Sequence, residues 1–287
     1  VSGLFASRFK TGITEMDGDT LRLVIFISVF LIMLILELFI PRHPIVDSKP
    51  RRLGINLGLT GLNTLLARLV FGAAAVGAAK IAGSRGWGLL NVLDWPSEME
   101  LFIGVVFLDF AIYVQHVIVH KVPFFWLFHV VHHSDLDLDV SSGLRFHPIE
   151  ILGSMLYKIA IVYLLGPSPL TVLVFEVILN VMALFSHSNI TLPGKIDHLC
   201  RKIIVTPDMH RIHHSVEVRE TNSNYGFNLS VWDRLLGTYT QEALKEQPEI
   251  VIGLDTIRHP DEVTFKNLLL MPLRNRAQEY SQPSHLN

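Results

Sequence analysis

The chain has 287 residues; half are hydrophobic, 17% are charged, and the mean hydropathy is +0.41. Soluble domains carry about 25% charged residues, so the composition points to a membrane protein, and a net charge of −2 leaves no basic footprint for nucleic acid. The single cysteine, Cys200, excludes an intramolecular disulfide framework and any cysteine-ligated cluster.

Residues 1–20 are mixed polar and read as a frayed tail. Residues 21–40 form an apolar run of the length a helix needs to cross a bilayer. The loop 41–54 holds Arg42, Lys49, Arg51 and Arg52 against Asp47 alone, which makes it cytoplasmic by the positive-inside rule. A second span is expected over 55–82, rich in glycine and alanine, with Arg68 facing the bundle interior because a charge in lipid is costly. Residues 83–99 are the outer loop. The third span, 100–119, runs inward and delivers His116 and His120 to the cytoplasmic end before Lys121-Val122-Pro123 breaks it.

Two more apolar stretches, 149–165 and 170–186, are split by Gly166-Pro167-Ser168-Pro169 and make a hairpin that returns His187 to the same side. Thr206-Pro207 has the signature of an N-cap followed by proline at the first helical position. Residues 261–273 are expected on the membrane surface, and the final dozen as a tail. The fold expected is an all-α integral membrane protein of about four transmembrane helices or helical hairpins (21–40, 55–82, 100–119, hairpin 149–186). A histidine-rich cytoplasmic cap (120–148 and 187–260) completes a single domain.

Histidine spacing dominates the middle of the chain. His116 and His120 stand four apart; His129, His132 and His133 repeat the spacing of His210, His213 and His214. Residues at i, i+3 and i+4 share a helix face, and neutral imidazole is the commonest metal ligand. Eight imidazoles exceed the four that one tetrahedral zinc takes. They suit two ions with about four nitrogens each, although imidazole alone does not choose among Zn, Cu, Fe and Ni. Asp109 and Tyr113 lie on the face of His116 and His120, and both are candidates to support the ligands from behind. Arg145, Glu150, Asp208, Asn224 and Asp233 are read as ties between cytoplasmic segments, and Trp126 and Trp232 as interface anchors. Two other classes stay open on spacing alone: a membrane metal transporter or store, and a bis-histidine haem cytochrome.

The wider pattern resembles the fatty acid hydroxylase superfamily, which also contains sterol desaturases and sterol methyl oxidases. The matching text runs from Asp109-x3-Tyr113-x2-His116-x3-His120 through Phe128-His129-Val130-Val131-His132-His133-Ser134 and Arg145-Phe146-His147-Pro148-Ile149-Glu150 to His187-Ser188-Asn189. It continues with Thr206-Pro207-Asp208-Met209-His210-Arg211-Ile212-His213-His214, Asn224-Tyr225-Gly226, and Trp232-Asp233-Arg234-Leu235-Leu236-Gly237-Thr238. Val117 departs from the arginine many members carry there.

The resemblance implies a di-iron site at the cytosolic membrane surface that uses dioxygen to hydroxylate, or alternatively desaturate, an unactivated C–H bond of a fatty acyl, sterol or alkyl lipid. Zinc is a substitute in purified samples. The resemblance adds His187 as a further ligand, and His147 either as a ligand or as an outer donor holding Glu150 or a backbone carbonyl. No residue is catalytic apart from the metal site. The chain carries no G-x-G-x-x-G or haem motif, so electrons are expected from a separate ferredoxin or cytochrome with its reductase. With no organelle-retrieval signal at the C-terminus, a bacterial inner membrane is the expected location.

Overall fold

The computed structural model describes residues 17–72, 74–93 and 95–274. The tail expected at 1–20 falls mostly outside them, as does the final dozen. Among the described residues the regular structure is helical, with a few isolated β-bridges. Five stretches are long and apolar enough to cross a membrane.

α1 (Gly18–Phe39) starts at Asp17, whose carboxylate accepts from the Thr20 N–H at 2.9 Å. It presents Leu23, Val24, Ile27, Leu31, Ile32 and Ile35 outward and buries only Glu37. A helix so apolar on its outside belongs in lipid.

The expected span 55–82 is two helices. α2 (Lys49–Phe71) begins earlier and ends at Gly72, which takes φ +57; α3 (Ala74–Arg85) follows. A positive φ is cheap only without a Cβ, so the glycine breaks what composition alone reads as one run. Arg68 is exposed in the last turn of α2, not turned inward. The buried arginine is Arg52, at the other end of the helix.

A single-turn helix, α4 (Leu89–Val92), leads to α5 (Ser97–Lys121) and α6 (Pro123–His133). Pro123 lacks an N–H and opens α6 at its first position, so the chain bends between the two histidine groups. α7 (Pro148–Leu165) stops at Gly166 in the left-handed region. Ser168 then caps α8 (Pro169–His187) by accepting from the Thr171 N–H at 3.1 Å. The expected hairpin therefore forms, with both helices packed against α5.

The rest consists of short helices: α9 (Gly194–Cys200), α10 (Pro207–His213), α11 (Val218–Thr221), α12 (Val231–Leu235) and α13 (Phe265–Leu270). Thr206 caps α10 as expected, accepting from the Met209 N–H. One apolar core joins α3, α5, α7 and α8 through Ala79, Leu108, Ile112, Val162 and Phe175. A second joins α2 and α6 to the C-terminal segment through Leu59, Trp126, Val131, Leu268 and Met271. Trp126 is thus a buried core residue under His120 and His133 rather than an interface anchor.

Candidate metal centre

Nine imidazoles meet where α5, α6, α8 and α10 end. Each helix delivers its rings from a terminal turn: His116 and His120 from α5, His129, His132 and His133 from α6, His187 from the last residue of α8, and His210 and His213 with the capping His214 from α10. They sort into two groups. His116, His120, His129, His133 and His213 offer nitrogens within 4.8 Å of one another, and so do His132, His187, His210 and His214.

The sorting follows helical geometry. On α6 the i, i+4 pair His129 and His133 serves one group and the intervening His132 the other. At α10 the i, i+4 pair His210 and His214 serves the second group and His213 the first. The groups adjoin, with the His133 and His214 rings stacked at 4.5 Å between centroids.

The outward nitrogens identify the tautomers. His116 Nδ1 donates to the Tyr225 carbonyl at 2.8 Å, His132 Nδ1 to the Arg145 carbonyl at 3.2 Å, His187 Nδ1 to the Ala183 carbonyl at 2.7 Å and His213 Nδ1 to the Ser223 carbonyl at 2.7 Å. His129 Nδ1 donates to the Glu150 carboxylate at 2.6 Å. Carbonyls and carboxylates only accept, so these five rings carry hydrogen on Nδ1 and present a bare Nε2 lone pair inward.

Inside the second group the lone pairs face one another. His187 Nε2 lies 3.1 Å from His132 Nε2 and 3.0 Å from His210 Nε2, and His214 Nε2 lies 3.2 Å from His210 Nε2. His132 and His187 are both protonated on Nδ1, so their contact is repulsive unless a cation lies between. Nitrogens about 2 Å from a shared ion stand a little over 3 Å apart. In the first group, buried Nε2 atoms of His120, His129, His133 and His213 have no hydrogen-bond partner. Orphaned buried acceptors are rare and need an explanation; the donor set fits one metal ion in each group.

Burial, reinforced by neighbouring imidazoles, pushes the protonation of His132, His133, His210 and His214 far below the usual histidine range, and that of His213 down to about 3. These rings are neutral at physiological pH, which is the metal-binding form.

His147 belongs to neither group. Its Nδ1 accepts from the Ile149 N–H at 3.2 Å as the N-cap of α7, and its Nε2 donates to the Leu269 carbonyl at 3.2 Å. With both nitrogens occupied, it ties α7 to the C-terminal segment. Asp109 and Tyr113 do not hold the histidines either. Asp109 accepts from the Trp232 indole at 2.7 Å, and the Tyr113 hydroxyl pairs with Thr238 at 2.9 Å. The carboxylate behind a ring is Glu150, which the sequence reading treated as a structural tie. Its signal was position: the first turn of a proline-opened helix after His147.

The other expected ties hold segments together. Asp208 bonds Arg42 and Arg211, Asn224 reaches the Met209 and Thr240 carbonyls, and Asp233 accepts from the Tyr225 and Gly226 N–H groups. Arg145 donates to the Val131 carbonyl.

A cavity of about 220 Å³ opens from the histidines between α5, α7 and α8. His116, His129, His132, His187 and His210 line one end, so it touches both groups. Its wall is apolar at Ile112, Val119, Ile151, Met155, Leu179 and Phe227, with Gln115, Glu150, Ser154, Lys158 and Asn180 as polar exceptions. Gly143 also lines it. A Cβ there would stand 2.9 Å from the Ala183 carbonyl and 3.3 Å from the His187 ring, so only glycine lets residues 142–144 pass behind His187.

Residues 101–238, the stretch that holds every grouped histidine, match the family described as fatty acid hydroxylase. This stretch belongs to the fatty acid hydroxylase superfamily. Within it, the chain is 38% identical over 152 residues to an ornithine lipid hydroxylase of Rhizobium tropici, covering 51% of this chain and 43% of that protein. It is 28% identical over 249 residues to an alkylglycerol monooxygenase of Xenopus tropicalis, covering 84% of this chain and 52% of that protein. The human cholesterol 25-hydroxylase is 30% identical over 145 residues, 48% of this chain and 50% of that protein. The chain thus spans about half, or less, of these hydroxylase relatives. No solved structure matches.

Proposed function

We propose that this chain is an O2-dependent lipid hydroxylase, an oxidoreductase whose two irons are held by the nine grouped histidines. The observation that carries the reading is the pair of converging sets of imidazole nitrogens beside one largely apolar cavity. His116, His120, His129, His133 and His213 would hold one ion, and His132, His187, His210 and His214 the other. The relatives named above are all lipid hydroxylases or monooxygenases, which supports a lipid as substrate.

A lipid C–H bond offers no leaving group and no acidic proton, so acid–base residues alone have nothing to act on. Bound iron supplies the redox chemistry with dioxygen that breaks such a bond, and the protein supplies binding and orientation. Ile112, Val119, Ile151, Met155, Leu179 and Phe227 would bind the hydrocarbon and exclude water. Gln115, whose side-chain amide donates to Ser154 at 2.7 Å, and Lys158, which donates to Glu176 at 3.2 Å, put polar groups along one side of the cavity. Those groups would orient a lipid segment that carries hydrogen-bonding atoms. Electrons would come from a separate ferredoxin or cytochrome. Arg42, which pairs with Asp208 beside the histidines, marks the basic loop as lying on the histidine side of the helices, which supports a cytoplasmic active site; the Rhizobium relative supports a bacterial inner membrane.

Comparative lipid mass spectrometry of cells with and without the gene tests the proposal. The expected result is a lipid class gaining one oxygen only when the protein is present, with about two irons in the purified chain. Loss of two hydrogens instead would mean desaturation at the same site. An unchanged lipidome and an iron-free protein would end the oxygenase reading.

The support behind the rings is testable separately. Glu150→Gln leaves a neutral amide facing His129 Nδ1 and should weaken metal retention or turnover by about 10–100-fold, as loss of outer partners does elsewhere. Competition against a chelator reads this directly; iron retention equal to the parent would remove Glu150 from the site.

A further inference from the structure

Residues 226–236 lie in the part of the chain that composition assigns to a soluble cap. Their contacts place them elsewhere. The Trp232 indole and the Leu229 N–H both donate to Asp109, at 2.7 and 3.3 Å, and the Trp232 ring lies 4.9 Å from that of Phe110. Asp109 is the thirteenth of the 25 residues of α5. A helix of that length is about 37 Å long and the hydrocarbon core about 30 Å thick. If α5 crosses the bilayer, its midpoint therefore lies within about 4 Å of the bilayer centre.

We infer that residues 226–236 re-enter the membrane beside α5, and that Leu235 and Leu236 contact the acyl chains of the cytoplasmic leaflet. This rests on α5 spanning the membrane, as the proposed function assumes.

Irregular backbone survives at that depth only where its polar groups are satisfied within the protein, and much of this backbone is bonded in that way, although the buried Asn228 side chain finds no hydrogen-bond partner among the described residues. The Tyr225 and Gly226 N–H groups donate to the Asp233 carboxylate at 2.7 and 2.8 Å, Leu229 to Asp109, Ser230 to the Ile203 carbonyl at 3.0 Å, Leu236 to the Trp232 carbonyl at 2.9 Å and Thr238 to the Asp233 carbonyl at 2.8 Å. A Cβ on Gly226 would stand 2.6 Å from Asp233 Oδ2, so the carboxylate reaches these donors only because that residue is glycine.

Among residues 226–236 the exposed side chains are Leu235, Leu236 and Arg234. Leu235 is 69% exposed and Leu236 54%, and Ile203, paired with Ser230, is 62% exposed. The one cation of the segment, Arg234, is exposed but held sideways: its guanidinium donates to the Arg201 carbonyl at 2.6 Å and lies 3.6 Å over the Tyr239 ring. Lipid is the occupant that fits this face, because Trp232, one turn before it, is bonded to the midpoint of α5.

The test uses the full chain with Cys200→Ser, carrying Leu235→Cys or Leu236→Cys labelled with bimane and reconstituted in phosphatidylcholine vesicles. Acyl chains are brominated near mid-chain in one set and plain in the other. Leu31→Cys on α1 serves as the lipid control and Arg219→Cys on α11 as the aqueous one. Quenching at 235 and 236 is expected within about twofold of that at 31, and negligible at 219. Quenching at 31 but not at 235 or 236 would overturn the inference while leaving the membrane reading intact; none at any site would overturn both.

Discussion

His187→Ala is expected to lower bound iron from about two per chain to about one, and to cut lipid hydroxylation by more than the roughly 100-fold that loss of an outer partner produces. His187 Nε2 stands at the centre of the second group, 3.1 Å from His132 and 3.0 Å from His210, so its removal leaves three nitrogens where four converge. His147→Ala is the contrast. That ring caps α7 and reaches the Leu269 carbonyl, and its loss should leave the iron count unchanged. Metal analysis of the two purified variants decides the matter. Two irons in His187→Ala, or equal metal loss in both, would refute the assignment of the second group.

Arg52→Met should be the most destabilising change outside the histidines. Arg52 is fully buried and donates to Asp135 at 2.8 and 2.9 Å, to Asp139 at 2.6 Å and to the Ser142 hydroxyl at 3.0 Å. Methionine keeps the volume but strands two buried carboxylates. Breaking a buried pair from one side costs about 3–5 kcal/mol, which in a chain of this size lowers Tm by roughly 10 °C. Arg68→Met removes an exposed charge and should change stability by less than about 0.5 kcal/mol. Thermal unfolding in detergent compares them, and similar Tm values would show that the buried network contributes little.

The same network has a pH signature. Burial pushes Asp135 up, but Arg52 and Arg145 outweigh it and hold the carboxyl below its usual range. A depressed folded value means that the contribution is complete above the unfolded value of about 4 and is lost as the pH falls through and below it.

The network also shows where local reading stops. Asp135, Asp137 and Asp139 alternate in a polar loop, and nothing in that pattern names Arg52, more than eighty residues earlier, as their partner. Arg68 looked like the arginine needing protein contact because it falls in the middle of the apolar run 55–82. Gly72 breaks that run, and Arg68 is left near a helix end where it reaches the outside.

Some features were determined by the sequence alone. The apolar runs other than 55–82, the Gly-Pro-Ser-Pro turn, the Thr206-Pro207 start of α10 and the i, i+3, i+4 histidines are all local, and helical periodicity and proline geometry settle them within a few residues. Tertiary structure decided the rest. Spacing puts His129, His132 and His133 on one face, but only the packing of α5, α6, α8 and α10 divides that face between two groups. His187 and His147 each stand beside a helix end in the sequence; the packing of α8 against α5 and α10 brings one ring inward, while the C-terminal segment takes the other. Asp109, Glu150 and Trp232 gained their roles from contacts between helices and loops far apart in the chain, which no local period encodes.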